Sequence, residues 1–108
     1  MRMVMELEAV GPHLDSVTAD WSNGVDHGMG WAIKIVGAKY KAVESCWQVV
    51  DQALDVIEGF GIFKVSGVER LWRDARLGKI HPVNAALSHE FISKLSLGIN
   101  PDESPRWG

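Results

Sequence analysis

Asp55-Val-Ile-Glu-Gly-Phe-Gly-Ile-Phe-Lys-Val-Ser-Gly-Val-Glu-Arg-Leu-Trp-Arg-Asp74 decides how this chain folds, because it sets a Gly-x-Gly turn between two helical patterns. Upstream, Trp31, Ile35, Ala38, Ala42, Ser45, Val49, Ala53 and Val56 recur every three or four residues, while Lys34, Lys41, Glu44 and Asp51 fall off that stripe. This spacing predicts one long helix between Gly28 and Ile57, extending about 45 Å at 1.5 Å per residue. Its small residues Ala38, Ala42, Ser45 and Ala53 leave room for a neighbouring helix to approach. Gly59 and Gly61 are expected to end it, since glycine has the freest backbone and commonly takes the left-handed conformation at a helix C-terminus. Ser66 and Glu69 then form a capping-box pattern opening a short helix that carries Val68, Leu71, Trp72 and Ala75.

Towards the N-terminus, Leu7, Val10, Leu14, Val17 and Trp21 share one helical face. Pro12 lies inside that pattern and either kinks the helix or starts its better-formed half, and Ser22, Asn23 and Gly24 end it. Towards the C-terminus the chain breaks at His81-Pro82, and Asn84 is placed to cap a last helix with Leu87, Phe91, Ile92 and Leu95 inward and Gly98 as its stop. The fold class expected is all-α: an up-down helical bundle of the four-helix-bundle type, with two long and two short helices over residues 1–98. Residues 99–108, rich in Pro, Asp, Glu and Ser, read as a flexible tail.

Composition narrows the function. A chain of 108 residues is one small domain, burying only about 60 to 70% of the surface its unfolded form exposes, which makes help from a partner chain reasonable. Hydrophobic content of 46% with 23% charged residues is that of a globular protein, and no apolar run approaches a membrane span. A net charge of −3 with basic residues scattered singly argues against nucleic acid as a partner. The single cysteine, Cys46, has no internal disulfide partner, and the N-terminus lacks a signal-peptide pattern, so the expected compartment is the cytoplasm. The histidines His13, His27, His81 and His89 show no ligand spacing, and no metal site is expected.

The quoted segment resembles the C-terminal domain of acyl-CoA dehydrogenases, which carries Gln-x-x-Gly-Gly-x-Gly, an apolar residue, then an acid, a base and a final Asp at fixed spacings. Gly59, Gly61, Ile62, Arg70 and Asp74 fit that pattern, whereas Asp55, Glu58 and Val65 stand where Gln, Gly and an acid are usual. The resemblance extends from about Met1 to Ile99; the N-terminal helical and middle β-domains of the family have no counterpart in this sequence. It implies a flavoprotein oxidoreductase of fatty acid metabolism that oxidises acyl-CoA at Cα–Cβ with FAD as acceptor. In the family the glycine turn lies against the FAD of a neighbouring subunit, and on that basis Gly59, Phe60, Gly61 and Asn84 are the expected cofactor-binding residues. Many members also carry Glu-Gly-Thr before the last helix, the Glu abstracting the substrate's α-proton. Aligned without gaps from Arg73 to Arg76, those positions fall on Pro82, Val83 and Asn84. Pro82 has neither a carboxylate nor an N–H, so no catalytic residue is assigned and the chain alone is expected to be inactive.

Each of these positions has a plainer reading. Gly59 and Gly61 can simply end a helix, Arg70, Arg73, Asp74 and Arg76 form a solvated face with one or two ion pairs, and His81 is an interhelix loop residue. Cys46 reads as a small core residue, and Trp47, off the main stripe, as a subunit contact. Two functions follow: a dehydrogenase domain contributing oligomer contacts and part of an FAD site, as a homo-oligomer, or a non-catalytic partner subunit paired with an unlike dehydrogenase chain or an orphan helical interaction module without dehydrogenase activity.

Overall fold

The computed structural model describes residues 1–103, and residues 104–108, including Trp107, lie outside the described residues. Four helices follow in order: α1 Arg2–Ser22, α2 Gly30–Ile57, α3 Val68–Ile80 and α4 Ala85–Ser96, with two 3-10 turns, Glu58–Ile62 and Lys64–Ser66, joining α2 to α3. The described residues contain no strand. Two long and two short helices are therefore present, and α2 is the hub on which α1, α3 and α4 each pack.

Small residues on α2 let those neighbours in. Ala38 and Ser45 are buried, the side chain of Ile92 on α4 approaches Gly37, and Gly78 on α3 meets Val43. Tyr40 and His89 add an edge-to-face contact, their centroids 4.9 Å apart, between α2 and α4. The arrangement is flat. Its extents are 49 × 36 × 20 Å and its radius of gyration is 16.8 Å, against about 13 Å for a compact chain of similar length.

Helix α1 begins earlier than its apolar pattern implies and runs through Pro12 without interruption. Its contact stripe is also rotated. Met3, Glu6, Val10, Val17 and Asp20 are half-buried, whereas Leu7, Leu14 and Trp21 of the expected face remain exposed. The reason is chemical: the Glu6 carboxylate Oε2 accepts hydrogen bonds from the buried Ser45 Oγ at 2.7 Å and from Lys41 Nζ at 2.9 Å, drawing a polar edge of α1 towards α2. Gly24, at φ +63°, ends α1 with the Val25 amide donating to the Asp20 carbonyl at 3.0 Å.

Helix α4 follows its expectation closely. Asn84 Oδ1 accepts from the Leu87 amide at 3.1 Å, and Leu87, Phe91, Ile92 and Leu95 are half-buried. Gly98, at φ +72°, follows its last turn, and the Ile99 amide donates to the Lys94 carbonyl at 2.8 Å. The first residues of the expected tail turn back on α4, where Lys94 Nζ donates to the Glu103 carbonyl at 2.8 Å.

Candidate functional site

The α2–α3 connection carries the glycine motif, and its backbone solution differs from the expected one. The positive φ falls on Glu58, at +51°, rather than on Gly59 or Gly61. Gly61 is buried for a steric reason: a Cβ there would lie 2.6 Å from Leu54 Cδ1 and 2.9 Å from Ile57 Cγ1, so the turn folds back onto the end of α2 only because that carbon is missing. Gly59 is the opposite case, with nothing within 4 Å of its hypothetical Cβ, and the adjacent Phe60 is exposed.

The capping box does not form. Gly67, at φ +71°, intervenes between Ser66 and α3, so Ser66 Oγ accepts from the Val68 amide at 3.3 Å and donates to the Gly61 and Phe63 carbonyls at 3.2 and 2.8 Å. Ser66 thereby closes the turn on itself. Glu69 pairs with Arg73 at 3.1 Å, and Arg70 with Asp74 at 3.8 Å, which gives the solvated, ion-paired face the sequence implies. Leu54, Gly61, Ile62, Trp72 and the Glu69–Arg73 pair line an open groove of about 280 Å³ beside the turn.

The second expected element is the loop between α3 and α4. Lys39 of α2 reaches into it, its Nζ donating to the carbonyls of His81 at 3.3 Å and Val83 at 3.1 Å and to that of Pro82, and lying 3.4 Å from His81 Nδ1. The Pro82 carbonyl is thus tied to an ammonium group. Asn84 spends its side-chain oxygen on capping α4, and Ser88 Oγ, buried, donates to the Val83 carbonyl at 3.3 Å. His81 is exposed and has no carboxylate among its contacts to orient it as a base.

These two elements do not converge within one chain. They stand at opposite ends of α3, whose 13 residues separate them by about 20 Å. For a flavin, the open backbone at Gly59 and the exposed Phe60 fit a flat ring arriving from outside the chain. The phosphates fit less well: Asp55 and Glu58 are exposed carboxylates beside the turn, and Lys64 is the one cation within residues 58–67. Among the described residues no three His, Cys, Asp or Glu side chains gather into a metal-binding group.

Several working contacts escaped the sequence reading. Trp47 packs within the chain: its ring lies 5.1 Å from that of Trp72, with the Arg76 guanidinium 5.4 Å and the Lys79 ammonium 5.9 Å above it. It faces α3 because Trp72 is anchored there by an Nε1–H bond to Asp51 Oδ1 at 3.1 Å. Cys46, between buried Ser45 and half-buried Trp47, is turned outward and exposed rather than placed in the core. Lys39 and Glu6 carried no signal beyond their charge.

A family profile described as "Acyl-CoA dehydrogenase, C-terminal domain" matches residues 1–81. Pro82 to Ile99, and with them Asn84, lie beyond that match. The chain is 34% identical over 79 residues to the acyl-CoA dehydrogenase FadE12 of Mycobacterium tuberculosis, strain H37Rv, covering 73% of this chain and 20% of that protein. The FadE12 protein of Mycobacterium bovis matches over the same length at the same identity. The chain thus spans 20% of the length of the curated relatives it matches, and no solved structure matches it significantly. With an all-α fold, the Gly-x-Gly turn closed onto the end of the long helix and the family match over residues 1–81, this chain belongs to the acyl-CoA dehydrogenase family and represents its C-terminal helical domain.

Proposed function

We infer that the chain serves as the C-terminal domain of a flavin-dependent acyl-CoA dehydrogenase-like oxidoreductase, contributing oligomer contacts and one wall of an FAD site. The observation that carries this reading is the apolar surface left uncovered on a flat fold. Val4, Met5 and Leu7 on α1, Phe60, Ile62, Phe63 and Val65 on the glycine turn, and Leu71, Leu77 and Ile80 on α3 are all more than half exposed. Isolated globular monomers rarely leave so much apolar area in contact with water, whereas a domain that packs on other domains or subunits does.

FAD, when bound, accepts the electrons removed from Cα–Cβ of the acyl-CoA. This chain's own part is to present Gly59 and Phe60 as an open apolar edge and to hold Gly61 and the turn rigidly against α2, with Asn84 on the second, separate wall. Proton abstraction at Cα has no carboxylate at Pro82 to perform it, so the base belongs to other sequence and the chain alone is inactive. Residues 1–98 act as the domain, and the setting is cytoplasmic. No helix among the described residues is long and apolar enough to cross a membrane.

The test is to equilibrate the purified chain with FAD, remove free flavin by gel filtration and record the visible spectrum. Retained flavin absorbance that is lost in Gly59→Val supports the wall; a colourless protein, or retention unchanged by Gly59→Val, removes it. Oligomer contact is read separately by sedimentation at micromolar concentration. A dimer or larger species that dissociates on Leu7→Lys is expected, and a monomer counts against it.

One observation favours a second reading, a non-catalytic partner subunit in a complex of unlike dehydrogenase chains. Lys39 holds the backbone of the loop at which the base is missing, so the loop is a fixed structural element in its own right. Co-expression with a base-containing chain would then yield a flavin-bound complex, and separate elution of the two chains on size exclusion sinks it.

A further inference from the structure

The connection at the other end of α2 holds an aromatic corner that the dehydrogenase reading does not use. Trp21, in the last turn of α1, and Trp31, in the first turn of α2, meet with ring centroids 5.4 Å apart and planes at 79°. With Gly24, Val25 and Asp26 they line an open recess of about 330 Å³. Trp31 is fixed in place: its Nε1–H donates to the Val25 carbonyl at 3.0 Å, and the ring of His27 lies edge-on to it at 4.8 Å. His27 is in turn held by Asp20, with Nε2 and Oδ2 2.7 Å apart. Trp21 leaves 63% of its surface exposed, a large cost for an indole that only filled space. Asp26 sets its Oδ1 by accepting the Gly28 amide at 2.8 Å, which orients the carboxylate within the same turn.

The recess is lined by two indole rings, whose faces carry negative π-charge, and by the Asp26 carboxylate, which adds full charge. The combination attracts a weakly hydrated cation, which indole faces bind when it comes within about 6 Å of the ring centroid. An inorganic ion is the poorer match, because Asp26 is the one lining side chain that carries an oxygen and a hydration shell needs several to replace it. A phosphate or carboxylate ligand is repelled by Asp26. The geometry points to a binding site for the trimethylammonium group of a small soluble organic cation at the Trp21–Trp31 corner. The site stands at the far end of α2, whose 28 residues place it about 40 Å from the glycine turn, so its success or failure is independent of flavin binding.

Choline and its neutral carbon isostere 3,3-dimethyl-1-butanol are the probes, read by titration of the indole N–H signals in two-dimensional NMR spectra of the full chain at constant ionic strength. Choline moves the Trp21 and Trp31 signals saturably and the alcohol does not. Trp21→Ala weakens choline binding by about five- to thirtyfold, and Trp21→Phe by less. Asp26→Asn keeps the acceptor for the Gly28 amide while removing the charge, and it weakens choline binding without altering helicity by circular dichroism. Equal shifts from choline and the alcohol, unsaturable shifts, or affinities unchanged by both Trp21→Ala and Asp26→Asn overturn the assignment.

Discussion

Helices α1 and α3 dock on the same rod by different chemistry. Helix α1 is held by a carboxylate, Glu6, bonded to Ser45 and Lys41 of α2, whereas α3 is held by two indoles in tilted contact, Trp47 and Trp72, with Arg76 and Lys79 over the first. The difference explains what each helix exposes. With a polar edge turned inward, α1 keeps Val4, Met5 and Leu7 outside, available to another surface. Helix α3 turns its one aromatic residue, Trp72, inward and presents ion pairs alongside exposed Leu71, Leu77 and Ile80 on its outer face.

The indole contact is expected to be the stronger of the two and is the first place to break the comparison. Trp72→Ala removes the ring packed on Trp47 and the bond to Asp51, with an expected loss of about 3 kcal/mol. Urea denaturation measures it. Trp72→Phe keeps most of the apolar contact, loses the N–H bond, and costs about 1 kcal/mol. A loss as small for alanine as for phenylalanine would mean that α3 is held mainly by the Lys79–Glu44 pair, at 3.0 Å, instead.

The glycine turn that leads into α3 gives the next effect. Gly61→Val forces side-chain carbons into Leu54 and Ile57 and is expected to destabilise by about 2 kcal/mol, while Gly59→Ala, facing open space, stays within about 0.5 kcal/mol of the parent. Thermal denaturation of the two side by side sharpens the point that these glycines do different jobs. Equal effects would show that the turn tolerates rearrangement. At α4, Asn84→Ala removes the acceptor for the Leu87 amide and costs about 1 kcal/mol, a cost that Asn84→Asp avoids.

How much of this was legible follows from which signals are periodic. The length of α2, the Asn84 cap and the Gly24 and Gly98 stops were readable because spacing and capping chemistry are local. The rotation of α1 was not: Leu7, Leu14 and Trp21 form the more hydrophobic stripe, yet the bond between Glu6 and buried Ser45 spans 39 residues in sequence and no local pattern reports it. The same holds for Lys39, whose three carbonyl partners lie beyond residue 80. At the candidate site the glycines were visible, but sequence could not separate Gly61, which is needed for close packing, from Gly59, which is open. Nor could it show that the positive φ would fall on Glu58.

The smallest effect is the one that depends on pH. The Ser45 hydroxyl, and after it Lys41, hold the Glu6 carboxyl below its ordinary value of 4.5. A carboxyl whose pKa is lower folded than unfolded stabilises the fold while it is ionised; that contribution is complete above about pH 4.5 and is lost as pH falls through the lowered folded value. Glu6→Gln keeps a hydrogen-bond acceptor for Ser45 but removes the titration. The variant is therefore expected to be less stable than the parent at pH 7, with the gap closing as the pH drops below 4.5. The Gly61→Val variant should keep a constant gap over that range, since the side chains it crowds, Leu54 and Ile57, do not titrate. Paired denaturation curves from pH 7 to pH 3 read both. If the Glu6→Gln gap stays constant on acidification, the carboxylate is not what holds α1, and its docking rests on Val10 and Val17 against α2.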